Sequence, residues 1–324
     1  MVQIGYTLSS EEHEPLELVR QAQRAEAAGF TFSLISDHFH PWIDKQGQSP
    51  FVWSVIGGMA ATTEQLGLGT GVTCPTVRIH PAIVAQAAAT SAAMMPGRFF
   101  LGVGSGEALN EHITGERWPE TEIRHAMLEE AIAVMRQLWQ GGNQSHHGPY
   151  YTVENARLYT LPREPVRLMI GAAGPAAAEL AGRLGDGLIS TSPNEEIVQR
   201  FREAGGRGPR YGQMTVCWAR SDDEAIRTAH EIWPNSAIPG ELGQELPTPT
   251  HFAQAAQLVT REQMAERVVH GPDPAPYLDQ IDAYVQAGFD HVYLHQIGPD
   301  QDGFIRFCEQ EILPRFSQQQ RAAA

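Results

Sequence analysis

Seven consecutive positions, Ser36 to Trp42, read SDHFHPW and bring together an acid, two imidazoles and an indole. Imidazole is the side chain whose ordinary titration lies nearest neutrality, so His38 or His40 suits proton exchange with a hydroxyl. Asp37 adds an anionic hydrogen-bond acceptor, and Trp42 a flat apolar surface with one polar edge. The stretch follows FSLI over 32–35, a short apolar run of strand length, and Pro41 stops any strand there. In parallel α/β proteins the carboxyl ends of the strands are where function is placed.

Comparable clusters end the other apolar runs. Gly71, Val72 and Thr73 follow a third predicted strand, and Ser105, Gly106, Glu107 and Asn110 a fourth. Ala172, Ala173, Gly174 and Pro175 follow a fifth, Thr191 and Ser192 a sixth, and His295 ends the last. The segment GAAGPA over 171–176 turns a strand into a helix with proline near the first helical position. Free amides and the helix dipole there suit a phosphate, although a plain tight turn fits the same residues. The GVGSG run over 102–106 misplaces the third glycine of a dinucleotide fingerprint and has no ribose-binding acid after it, so that reading is rejected. His38 and His40, two apart, would point the same way on an extended chain, as in metal-dependent barrel hydrolases. Pro41 interrupts the pair and no lysine from a later strand can bridge, so no metal is expected.

The elements that must position these residues alternate regularly. Strands are predicted over 2–7, 32–35, 66–72, 99–103, 166–171, 187–190, 214–218 and 292–295. Helices are predicted over 15–28, 52–62, 82–94, 125–140, 176–184, 195–204, 223–232, 261–269, 274–287 and 303–315. Eight short strands interleaved with helices have the count and rhythm of a (β/α)8 TIM barrel, with a doubly wound sheet as the other candidate. Insertions at the C-terminal face are expected before 123, over 150–161 and over 233–259. Without a repeat or low-complexity linker, residues 1–316 read as one domain and 317–324 as a frayed tail.

Composition narrows the partners. A chain of 324 residues with a formal charge of −15 disfavours nucleic acid and anionic membranes. Neither a membrane span nor a basic-then-apolar leader stands out, and the three dispersed cysteines form neither metal spacing nor a disulfide framework. A reducing cytoplasm is the expected compartment. Lys45 is the only lysine against 22 arginines, which leaves Schiff-base chemistry one residue in a polar loop and rules out a Walker-type phosphate loop.

Taken together, SDHFHPW over 36–42, GTGVTCPT over 69–76, PAIVAQ over 81–86, GVGSGEALN over 102–110 and AGRLGDG over 181–187 resemble the coenzyme F420-dependent glucose-6-phosphate dehydrogenase family. That family lies within the luciferase-like TIM-barrel oxidoreductases, and the resemblance runs through nearly the whole chain. It implies a deazaflavin across the barrel mouth, with its phosphate near Ala172, Ala173, Gly174 and Pro175. It further implies that His38 is the base for a substrate hydroxyl, that Glu107 serves the ring nitrogen where charge accumulates, and that Trp42 stacks near the reacting carbon. Asp37, Ser105, Gly106 and Asn110 would meet the cofactor's polar edge beside Thr73, and Gly71–Val72 would be a non-prolyl cis peptide behind the ring. Homodimers are implied as well.

The substrate side departs from the family's pattern. Its sugar phosphate is held by two lysines and an arginine beside a threonine. Thr191 and Arg267 match, but the first lysine position is Asn194, and no lysine occurs over 233–259. The expected activity is therefore F420-dependent hydride transfer with a secondary alcohol, hemiacetal, carbonyl or imine, and poor use of glucose-6-phosphate. An FMN-dependent monooxygenase on the same barrel is the alternative, and a metal-dependent hydrolase a remote one.

Overall fold

The computed structural model describes residues 2–316; the expected frayed tail over 317–324 lies outside the described residues. Eight parallel strands close on themselves: β1 (Gln3–Leu8), β2 (Phe32–Ile35), β3 (Gly67–Thr70), β4 (Phe99–Val103), β5 (Arg167–Gly171), β6 (Gly187–Ser190), β7 (Arg210–Cys217) and β8 (His291–Gln296). Each pairs with its predecessor, and β8 lies between β7 and β1, which completes a (β/α)8 barrel. Alternation along the strands sorts side chains inward and outward. Phe32, Leu34, Phe100, Met169, Ile189, Tyr211 and Tyr293 form one buried cluster that fills the barrel, with Val72 packed against it. The larger cluster, including Leu18, Ile35, Leu101 and Leu168, lies between barrel and helices.

Several helices span the residues their sequence predicts, among them Pro15–Ala28 and Val52–Thr62. Gly29 ends the first of these in the left-handed conformation, its φ of 98° being one that glycine adopts without steric cost. Other boundaries differ for physical reasons. Strand β3 stops at Thr70, not at 72, and the Gly71–Val72 peptide that follows it is cis. The helix expected from 125 begins at Thr121, where Arg124 turns back to donate to the Pro119 carbonyl and the Thr121 hydroxyl. Strand β7 begins four residues before 214, in register with Leu188 to Ser190 of β6. The extended excursion expected over 150–161 is an antiparallel hairpin of Gln144–His147 and Thr152–Ala156.

The insertion after β7 contains a short turn of helix at Pro234–Ala237 and helices Leu242–Glu245 and Pro249–Ala256. It then passes through helix Arg261–Arg267 to a two-residue strand, Val269–His270, on the edge of β7. Among the described residues no helix is long and apolar enough to cross a membrane.

Candidate active site

Four strand ends build the site. The loop after β2 carries His38, whose Nδ1 lies 3.2 Å from the His40 carbonyl oxygen. A carbonyl only accepts, so Nδ1 carries the hydrogen and Nε2 is the nitrogen left for chemistry. Nε2 sits 3.4 Å from Glu11 Oε1, in the loop after β1, and 3.4 Å from Glu107 Oε1, in the loop after β4. Both carboxylates are placed to stabilise the positive charge that His38 acquires when Nε2 accepts a proton.

Glu11 was not singled out from sequence, and it is the most enclosed member of the trio. Its Oε2 accepts from Ser36 at 2.6 Å and from Ser9 at 3.2 Å. Burial pushes its carboxyl upward, but the His38 charge and the Ser36 hydroxyl more than offset this and hold it below the usual range. Next to it, Glu12 is pushed up to about 8, mainly by burial. Its residue is only half-buried, but Oε1 is enclosed without a partner, while Oε2 accepts from the Gly298 amide at 3.0 Å. His295, buried at the end of β8, has neither ring nitrogen hydrogen-bonded and is lowered to about 4, first by desolvation.

The remaining predicted residues divide into supports and open groups. Asp37 accepts from Thr73 at 2.7 Å and from Arg78 at 2.9 Å, so both buried oxygens are engaged within the chain. Asn110 accepts the Phe39 and His40 amides at 2.8 and 3.0 Å and donates to Glu107 Oε1 at 2.5 Å. Asp37, Thr73 and Asn110 thus hold the site's loops to one another. Behind Arg78, Glu111 is raised to about 7 by burial even though it accepts the Arg78 amide at 2.7 Å. The His40 ring is used on the Leu109 carbonyl at 2.9 Å and stacks near His112, so it does not join His38.

Val72, carried by the cis peptide, caps the barrel's inner cluster. A Cβ at Gly104 would come within 2.7 Å of Val72 Cγ2, so the floor there tolerates no side chain. Gly106, with φ of 77°, packs against Cys74 and gives the turn that lifts Glu107; Ser105 beside it makes no hydrogen bond among the described residues. On the far side of the mouth, Ala172, Ala173 and Gly174 lead into helix Pro175–Leu184, whose N-cap Gly174 has no capping side chain. Its first-turn amides stay available to an anion. A flat glycine floor beside an uncapped ten-residue helix start fits a planar ring with a phosphate.

Thr191 and Arg267 line one cavity of about 560 Å³, along with Ser192, Thr215, Asp222, Glu266, His270 and Asp273. Asn194 is not among its walls: its side chain accepts the Glu196 amide at 2.9 Å and caps helix Glu195–Glu203.

The profile described as luciferase-like monooxygenase matches residues 1–291. The F420-dependent glucose-6-phosphate dehydrogenase of Microbacterium testaceum is 36% identical over 97% of both chains. The enzyme of the same name from Mycolicibacterium fortuitum is 36% identical over 97% of this chain and 98% of its own. A solved F420-dependent secondary alcohol dehydrogenase, in complex with an F420-acetone adduct, superimposes with a TM-score of 0.88 at 32% identity over 96% of this chain and 98% of its own. The glycine floor, the cis peptide and the carboxylate-flanked imidazole thus sit in a chain that belongs to the luciferase-like family, alongside F420-dependent dehydrogenases.

Proposed function

We propose that this protein is an F420-dependent oxidoreductase that moves a hydride between the deazaflavin and a secondary alcohol or hemiacetal, or the matching carbonyl or imine in reverse. The observation that carries this reading is His38 Nε2 held 3.4 Å from both Glu11 and Glu107 beside the glycine floor. When bound, the deazaflavin supplies or accepts the hydride as a two-electron carrier.

The chain's own residues do the rest. His38 Nε2 takes the hydroxyl proton as the alcohol is oxidised and returns it in reverse, and its Nδ1–H on the His40 carbonyl fixes the ring. Glu11 and Glu107 stabilise the imidazolium that results. Trp42, with its ring centroid 5.0 Å from that of His38, forms the wall against which the substrate's carbon skeleton lies. The first-turn amides after Gly174 would hold the cofactor phosphate. Ser105, with no partner in the chain, is the residue on this loop free to meet the cofactor's polar edge.

For the substrate, Arg267 stands with Asp222, Glu266 and Asp273 around the cavity, and no lysine lines it. Three carboxylates and one guanidinium favour a less charged substrate than a phosphate dianion. The likeness to the secondary alcohol dehydrogenase supports the same choice. A cytoplasmic homodimer completes the reading. An apolar surface groove between the helices at 52–62 and 81–94, with Phe51, Ile83 and Met94 exposed, supports pairing of two copies.

Titration of the purified protein with F420 and, separately, with FMN tests the reading. F420 is expected to bind tightly and FMN weakly; tight FMN binding with none for F420 would reverse the assignment.

A further inference from the structure

Trp42 occupies the substrate wall of that reading, and the insertion after β7 supplies one of the contacts that fix its ring. Its ring meets Phe252 edge-on, with centroids 5.1 Å apart at 78°, and also lies against His38, with centroids 5.0 Å apart. Phe252 is 1% exposed and lies in helix Pro249–Ala256. It forms a small buried cluster with Ile43 and Leu109, separate from the main core, and Trp42 packs against it. The Trp42 amide donates to Gln46 Oε1 at 2.8 Å, and Gln46 Nε2 donates to the Ile232 carbonyl at 3.1 Å and Asn235 Oδ1 at 3.3 Å.

The insertion is clamped from its other side. Buried Arg124, on the helix after β4, donates to Gln244 Oε1 at 3.0 Å and Glu245 Oε1 at 3.1 Å. Its guanidinium lies 4.5 Å from the Trp118 ring centroid. An indole on a loop has two rotatable bonds, and one ring face alone does not fix them. Phe252 supplies the second contact that keeps Trp42 against His38.

We infer that Phe252 is a positioning residue: it acts through Trp42 to set how the substrate's carbon skeleton lies against His38. Substrate alignment is thus delegated to the insertion after β7, whereas the acid–base trio comes from the loops after β1, β2 and β4. This rests on the assignment of His38 and Trp42 to alcohol oxidation under Proposed function.

The test compares Phe252→Ala, Trp42→Ala and the double variant as full-length proteins, with F420 and propan-2-ol. Phe252→Ala is expected to lower kcat/KM by roughly 10–100-fold, since ångström misplacements cost up to about that much. F420 affinity is expected to stay within about two-fold, because Phe252 touches no cofactor residue. In the Trp42→Ala background the further loss should be less than about two-fold, because the two residues act in series. Phe252→Leu, which keeps most of the volume, carries the same comparison should Phe252→Ala fail to fold, with a smaller loss expected. A readout apart from activity is acrylamide quenching of Trp42, taken as the difference from Trp42→Phe in the protein without cofactor; Phe252→Ala should make Trp42 more accessible. Equal losses in both backgrounds, or full activity of Phe252→Ala where Trp42→Ala is impaired, would overturn the inference alone. Wild-type turnover in Trp42→Ala would overturn both it and the assignment beneath it.

Discussion

The polar cluster on the loops after β1, β2 and β4 and the cavity beside β6 and β7 are built differently. On the side of β1, β2 and β4, Glu11, Asp37, Asn110 and Glu111 are at most 4% exposed, and each is tied to a partner by side chain or backbone. On the side of β6 and β7, Thr191 and Arg267 stand exposed around an open cavity, and no hydrogen bond or ion pair among the described residues engages the Arg267 guanidinium. The first region, which the proposed function assigns to proton transfer, already has its side chains held by the chain itself. The second leaves its polar groups unspent, which is what a site needs if the ligand is to supply the partners. Under the function proposed above, chemistry and substrate choice reside in separate regions.

The largest test of that division removes the base. His38→Ala is expected to lower turnover by about 10²–10⁴-fold with F420 affinity nearly unchanged, measured by steady-state kinetics and ligand titration. A few-fold change would move the base elsewhere.

The open region is tested by a substrate it should refuse. A charged hydrogen bond contributes about 1.5–3 kcal/mol, so two missing lysines weaken a phosphate dianion by roughly two to four decades. Glucose-6-phosphate is expected to be a poor substrate next to a neutral secondary alcohol. A Michaelis constant in the low micromolar range with efficient turnover would show that Arg267 and Thr191 suffice.

Glu12 sharpens the first region through stability. Its folded carboxyl is raised to about 8, so between about 4.5 and 8 the unfolded chain ionises first and folding is progressively disfavoured. Full stability from this group is present below the unfolded value and is lost as pH rises through about 8. Glu12→Gln removes that dependence and is expected to be more stable than the parent at pH 8.5 by on the order of 2 kcal/mol, with little difference near pH 4. Denaturant melts at the two pH values decide it; the same difference at both would place the Glu12 carboxyl in water.

The smallest effect belongs to Asn194. As an N-cap its replacement by alanine is expected to cost about 1 kcal/mol of stability and leave the Michaelis constant for any active substrate unchanged. A several-fold rise in that constant without loss of stability would return Asn194 to the substrate.

How much of this was legible follows from the range of the interactions. Strand β2, spanning Phe32–Ile35 as read, and the loop with Asp37, His38 and Trp42 are written in one continuous segment, so local pattern suffices. Thr191 and Arg267, which the resemblance names together, line one cavity. Glu11 was missed because Ser9-Ser10-Glu11-Glu12 reads as a solvated turn; the available signal was its place just past the end of a buried strand. Phe252 and Arg124 were missed for a different reason. Each looks like an ordinary helix residue, and its role depends on a contact more than 100 positions away, with Trp42 and Glu245 respectively. The resemblance places Asn194 at a substrate lysine's position, whereas locally an asparagine before a helix is a cap, and that is the role its side chain takes.

One measurement bears most directly on the central claim. Propan-2-ol carrying deuterium at the carbinol carbon, incubated with F420 and the protein, should deliver that deuterium to the cofactor. The account predicts deuterated reduced F420 with loss of its fluorescence, a primary isotope effect on the rate, and the same transfer slowed about 10²–10⁴-fold in His38→Ala. Unlabelled reduced cofactor, or transfer that proceeds with FMN and not with F420, would contradict it.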